Sequence, residues 1–170
     1  MAFDVSLKMT RNYNSLITDL DEWESHNRCK IGPDGWLAGM GSFNLAVAFS
    51  YLFHPEFIVH DDCVFIAPFS EQSEKNYNSF KALAEHDKSK TEVTINHIHL
   101  MDLFPACDEK PTREQILYLG RTLKDMWQLK LNRDFPKRDF IVSFPEDYTE
   151  DLFEYEITFW QKRNETNENG

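Results

Sequence analysis

The sequence predicts a single compact domain of the α/β or α+β class, with a mixed sheet of about four strands and helices packed on it. Three observations lead there. Helical and strand-like stretches alternate along most of the chain. The last two strand-like stretches are joined by the polar segment "PEDYTED", which marks a C-terminal antiparallel hairpin. Hydrophobic residues make up 41% of the 170, with 14 Phe and 4 Trp, enough for a core without disulfides or metal. The expected domain runs over 1–162, and the polar tail 163–170 is expected to fray.

The elements follow in order. Over 11–26, Leu16, Ile17, Leu20 and Trp23 recur at spacings of three and four, which predicts a helix. Four of the six glycines fall between Gly32 and Gly41, so this stretch is read as a loop. Ser42 is placed to cap a helix "FNLAVAFSYLF", which is apolar nearly all round and therefore expected to be central and covered. Pro55 ends it. "CVFIAPF" reads as a buried strand that stops at Pro68, and 70–88 as a polar helix with Tyr77, Phe80, Leu83 and Ala84 inward. "TEVTINHIHL" (91–100) reads as a second strand. Thr112 and Gln115 form a capping box for a helix with Ile116, Leu119, Leu123, Met126, Trp127 and Lys130 along one side. Strands follow over 138–144 and 152–161. In the last, Phe153, Tyr155, Ile157 and Phe159 alternate with Glu154, Glu156, Thr158 and Trp160, which predicts one buried and one wet face.

The net charge is −11, which argues against nucleic acid and anionic membrane surfaces and favours a basic protein partner. The three cysteines, Cys29, Cys63 and Cys107, are odd in number and widely spaced, so no disulfide framework or zinc knuckle is expected. The first residues have no signal-peptide architecture, and no apolar run approaches the ~20 residues of a membrane span. A cytoplasmic protein is the expectation, and a homo-oligomer is compatible with it.

Four stretches carry chemistry worth weighing. On a strand, His97 and His99 would project from one face, and with His60 and Asp62 they would make a set for a divalent transition metal, the core of a small metal-dependent hydrolase. That requires "HPEFIVHDDCVF" and "NHIHLMD", which also holds Asp102, to converge. The plainer reading makes Asp61 and Asp62 turn residues, the histidines strand-end polar groups and Cys63 a buried thiol, and no cofactor is then needed. Gly35, Trp36, Gly39, Gly41 and Ser42 form a candidate ligand loop, a lid with Trp36 at its tip before a helix N-terminus. It lacks the lysine of a P-loop. Between residues 143 and 160, Glu146, Asp147, Glu150, Asp151, Glu154 and Glu156 occur with no Lys or Arg. With Trp160 they are the candidate protein-binding surface, against the plainer reading of an edge strand guarded by charge.

"NHIHLMDLF", "SYLFHPEFIVHDDCVF" and "YEITFWQ" resemble phrases of small uncharacterised bacterial proteins of the kind carried on mobile gene cassettes. The resemblance implies an accessory bacterial protein and brings no activity, cofactor or site residue with it. The leading expectation is a non-enzymatic acidic protein-binding module, immunity- or inhibitor-like.

Overall fold

The computed structural model describes residues 13–68, 70–106, 110–147 and 149–163. Arg11, Cys107 and the tail from 164 lie outside them. The chain divides into two compact units, Met1–Ala46 and Val47–Gly170, each described by itself.

In the first unit a 3-10 turn (Tyr13–Ser15) precedes α1 (Leu20–Asn27) and α2 (Gly32–Met40). The expected helix over 11–26 is therefore shorter and starts later. The glycine-rich stretch is a helix and not a loop. Pro33 in its first turn suits a helix start, where a missing N–H costs nothing. The buried carboxylate of Glu24 accepts from Ile31 N at 3.1 Å, Gly32 N at 3.3 Å and Lys30 Nζ at 2.5 Å. It thus satisfies amides at the N-terminal end of α2. The Lys30 bond holds the Glu24 carboxyl below its usual range, against the opposing effect of burial. Gly39 is there for contact: a Cβ at that position would lie 2.8 Å from the Trp23 ring.

Helix α3 (Phe43–Phe53) begins as expected, with Ser42 Oγ accepting from Leu45 N at 3.2 Å. Its coverage is not as expected. Residues 43–51 are exposed, Phe43 at 92%, and of the described helix only Leu52 and Phe53 pack against the principal core. Apolar residues all round a helix predict burial but do not name what does the burying.

The second unit holds the strands: β1 (Phe57–His60), β2 (Cys63–Ile66), β3 (Ile98–His99), β4 (Phe140–Ser143) and β5 (Glu156–Gln161). Its helices are α4 (Glu71–Leu83), α5 (Lys88–Ile95) and α6 (Arg113–Asp134). The class is α+β. The strands pair as a two-stranded sheet β1-β2 and a three-stranded sheet β3-β5-β4, every pairing antiparallel. The expected C-terminal hairpin is present, with Val142 opposite Phe159 and Ser143 opposite Thr158.

Helix α6 has the capping box that its sequence foretells. Thr112 Oγ1 accepts from Gln115 N, and Gln115 Oε1 accepts from Thr112 N. Its stripe of Ile116, Leu123, Trp127 and Leu131 packs on Phe140, Val142, Phe144, Tyr155, Ile157 and Phe159. Burial of each such side chain contributes roughly 1.5–3 kcal/mol. Trp127 Nε1 donates to Leu52 O at 2.9 Å, so the indole keeps a partner in the core. Lys130 is 8% exposed and reaches Asp134 at 2.5 Å across the Phe57 ring.

The stretch read as a strand over 91–100 is helix up to Ile95 and strand only at Ile98–His99. Asp87 caps α5 by accepting from Lys90 N at 3.1 Å, and the Thr91 and Thr94 hydroxyls donate to carbonyls four residues back. The buried side of α5 is polar: Thr91, Glu92 and, just past its end, Asn96. Helical apolar periodicity is therefore absent, and β-branched Thr, Val and Ile imitate a strand.

Those polar groups join the two sheets. Glu92 is fully buried. Its Oε1 accepts from Val64 N at 2.8 Å and Gln161 Nε2 at 2.6 Å, and its Oε2 accepts from Gln161 N at 2.8 Å and Arg163 Nη1 at 2.8 Å. Asn96 Nδ2 donates to Val64 O at 2.9 Å and Phe159 O at 3.2 Å. One helix thus satisfies backbone groups of β2 and β5 together. It also covers the face of β5 expected to be wet, where Thr158 is buried and donates to Val93 O.

Gly120 marks the tightest contact of α6. A Cβ there would lie 2.1–2.6 Å from the buried Phe144 ring. Gly120→Ala is expected to lower the unfolding free energy by about 1–3 kcal/mol through overpacking, although alanine favours the helix. Urea denaturation of both chains measures this; an unchanged or higher midpoint would refute the packing.

Candidate functional site

The tip of the β1–β2 hairpin is built by Asp61 and Asp62. His60 lies opposite Cys63, so the loop has two residues, both with positive φ (48° and 64°). Such loops favour Asp, Asn and Gly because these tolerate the left-handed region. The Asp61 carboxylate accepts from Tyr77 Oη at 2.5 Å and Lys81 Nζ at 2.5 Å, and Lys88 Nζ stands 3.7 Å away. The Lys81 bond, followed by the Tyr77 bond, holds Asp61 far below the usual carboxylate range. Tyr77 is pushed up to about 12, by burial first and by the Asp61 bond second. The His60 ring stands edge-on to Tyr77 at 4.9 Å. Asp62 pairs with Arg138 at 3.2 Å, and its carbonyl accepts from Arg138, Arg163 and Gln161. Cations engage both aspartates, and the arrangement fastens the hairpin to α4 and to the end of β5.

Cys63 is fully buried. Burial, with the nearby Glu92 charge adding to it, pushes its thiol up to about 11, so it is protonated at neutral pH. It packs with Phe65 and Tyr77 in a small second core.

His97 and His99 come together where α5 runs into β3. Their rings meet edge-on, 5.3 Å between centres. His97 Nδ1 bonds Thr94 O at 2.5 Å, and His99 Nδ1 bonds Phe153 O at 2.8 Å. Glu156 lies opposite His99 in the sheet, and its Oε2 is 3.9 Å from His99 Nε2. His60 and Asp62 are engaged at the hairpin tip. Among the described residues no group of three or more His, Cys, Asp or Glu side chains is placed to hold a metal ion. Asp102 is exposed in the 3-10 turn Leu100–Asp102 that follows β3.

The acidic residues of the last hairpin split by role. Glu146 pairs with Arg121 at 3.1 Å and Lys124 at 3.4 Å, and the Lys124 bond lowers its pKa. The Asp147 carbonyl accepts from Tyr155 Oη. Glu150, Asp151 and Glu154 are exposed around a 3-10 turn, Leu152–Glu154. Because this turn replaces the start of the expected strand, Phe153 leaves the core face and stands 55% exposed. Asp151 Oδ1 accepts from Phe153 N at 2.9 Å and caps the turn. Trp160, expected among these acids, lies four residues along β5. There it lines a groove of about 550 Å³ with Phe80, Leu83, Lys90 and Val93.

The candidate ligand loop takes another form. Gly35, Trp36 and Gly39 belong to α2, Gly41 follows it and Ser42 caps α3. A Cβ at Gly35 would lie 2.1 Å from Ile31 Cγ2, so this glycine permits close packing. Trp36 is partly buried, and its Nε1 has no hydrogen-bond partner. Sequence reasoning missed the pairing of Phe153 with His99. The Asp at 151, two residues before Phe153, was the available signal of a capped turn.

Two small antiparallel sheets tied by a helix define an α+β protein. The chain belongs to the Uncharacterized protein PM0498 family, whose model matches residues 39–168. No curated protein and no solved structure matches it.

Asp61 sets a pH dependence. Its folded pKa is depressed, so the stability it contributes is present above the unfolded value of about 4 and is lost as pH falls toward the folded value. Asparagine tolerates the same backbone, so Asp61→Asn isolates the charge. Thermal midpoints followed from pH 6 to pH 2 are expected to fall more steeply below about pH 4 for the original chain than for D61N. Parallel curves would contradict the ion-pair account.

Proposed function

We propose that this chain is a non-enzymatic, cytoplasmic protein-binding module, immunity- or inhibitor-like, that offers an acidic surface to a basic partner. One observation carries the reading. Phe153 is half exposed while both of its backbone groups are held, N–H by Asp151 and C=O by His99. Glu150, Asp151, Glu154 and Glu156 lie around it in sequence. An aromatic anchor held in one backbone geometry loses little entropy on docking, and surrounding carboxylates steer a cationic partner and set its orientation. The net charge of −11 acts in the same direction over longer range. Among the described residues no single helix is long and apolar enough to cross a membrane. The resemblance to proteins of mobile gene cassettes fits a partner encoded beside this chain.

The test uses the chain as bait for proteins of its own bacterium, at low and at high salt, with Phe153→Ala/Glu150→Lys as the comparison. A basic protein is expected on the original chain, released by salt and bound at least roughly tenfold more weakly by the variant. Equal retention by both chains, or the absence of any basic protein at low salt, would refute the surface.

A further inference from the structure

We infer that the outer edge of β4 is a strand-docking site for a second copy of this chain, and that the Gln128 amide keeps it closed. The site is independent of the surface around Phe153, which His99 holds from β3, across β5 from this edge. The sheet defines the edge. Lys162 N donates to Asp139 O at 2.8 Å, so the Asp139 carbonyl faces β5. Backbone groups of successive strand residues face alternate sides. Those of Ile141 and Ser143 therefore face β5 as well, and those of Phe140 and Val142 face outward. Gln128 on α6 meets them. Its Nε2 donates to Phe140 O at 3.2 Å, and its Oε1 accepts from Val142 N at 3.3 Å. A carboxamide carries the donor and acceptor of a peptide unit, so this side chain stands where one peptide of a further strand would stand. Nε2 also donates to Asn132 Oδ1 at 3.0 Å, which fixes the orientation of the amide.

The residues of this edge suit pairing. From Phe140 to Phe144 none is charged, and Ile141 and Val142 are β-branched. Ile141 is 38% exposed. An uncharged, β-branched edge is the kind on which another chain adds a strand. The occupant that fits is β4 itself. In an antiparallel pairing about a two-fold axis at Ile141, Phe140 of one chain stands opposite Val142 of the other. Each such pair exchanges both N–H···O bonds. Those bonds use the same Phe140 carbonyl and Val142 amide that Gln128 now holds, so the two arrangements exclude each other. The exposed Ile141 side chains meet across the axis and cover one another. Asp139 and Pro145 bound the stretch and keep the pairing to these residues.

The experiment is sedimentation velocity of the full chain over a range of concentrations, with circular dichroism to confirm folding. Gln128→Ala is expected to self-associate at least roughly tenfold more tightly than the original chain, because the competing bonds to Phe140 and Val142 are gone. Q128A/I141K is expected to return to the behaviour of the original chain, since two lysines then face each other across the axis. Ile141→Lys alone is expected to change nothing. A folded Q128A that associates no more than the original chain overturns the site. So does association that persists in Q128A/I141K, which marks contact through other surfaces. Weaker association of I141K than of the original chain overturns the closing role of Gln128, because the edge is then already in use. Should Q128A not fold, Gln128→Glu carries the same expectations: it keeps an acceptor for Val142 N and loses the donor to Phe140 O.

Discussion

The carboxylate of Glu92 stands where two strands need hydrogen-bond acceptors and neither sheet supplies them. Val64 N–H on β2 and Gln161 N–H on β5 both end on its oxygens, inside the protein. Left without acceptors, each such amide would cost about 1–3 kcal/mol. A buried carboxylate alone would be costlier still. Arg163 answers that charge with two nitrogens, at 2.8 and 3.3 Å, and Gln161 Nε2 adds another bond. Burial works hardest against the Arg163 charge, but the bonds to Glu92, its charge and that of Asp62 together hold the guanidinium above its usual range. Glu92 and Asn96 together do for the edges of β2 and β5 what a further strand would otherwise do.

The same polar tie accounts for what the sequence conceals. Helix α6 was legible because its buried side is apolar at helical spacing and its cap is a Thr–Gln box. The β4–β5 hairpin was legible because Phe140 and Val142 alternate with Ile141 and Ser143, and Tyr155, Ile157 and Phe159 follow at every second residue. Helix α5 was not legible, because it buries Thr91, Glu92 and Asn96 against strand edges that have no mark in the local sequence. The face of β5 expected to be wet is wet only in part for the same reason: α5 covers Thr158, while Glu156 stays half exposed. Helix α2 was concealed by its glycines, which read as loop residues but serve the close approach of Trp23 and Ile31 side chains.

The candidate sites follow a similar division. Asp61 and Asp62 announced a turn, and they make one. Only tertiary structure shows that Tyr77, Lys81, Lys88 and Arg138 engage their carboxylates, which makes the hairpin tip part of the scaffold. His97 and His99 stand side by side where α5 runs into β3, and not on the strand expected over 91–100. The acidic stretch divides between Glu146, engaged by Arg121 and Lys124, and the carboxylates near Phe153. That division depends on where α6 passes, which the local sequence does not encode.

Glu92 holds the two sheets together. Equilibrium urea unfolding of Glu92→Gln tests it most directly, because the change keeps the volume and removes the charge and one acceptor. A loss of about 3–5 kcal/mol is expected, the cost of leaving a partly buried guanidinium without its countercharge and a strand amide without its acceptor. A variant within about 0.5 kcal/mol of the original chain, the range of an ordinary surface substitution, would contradict it.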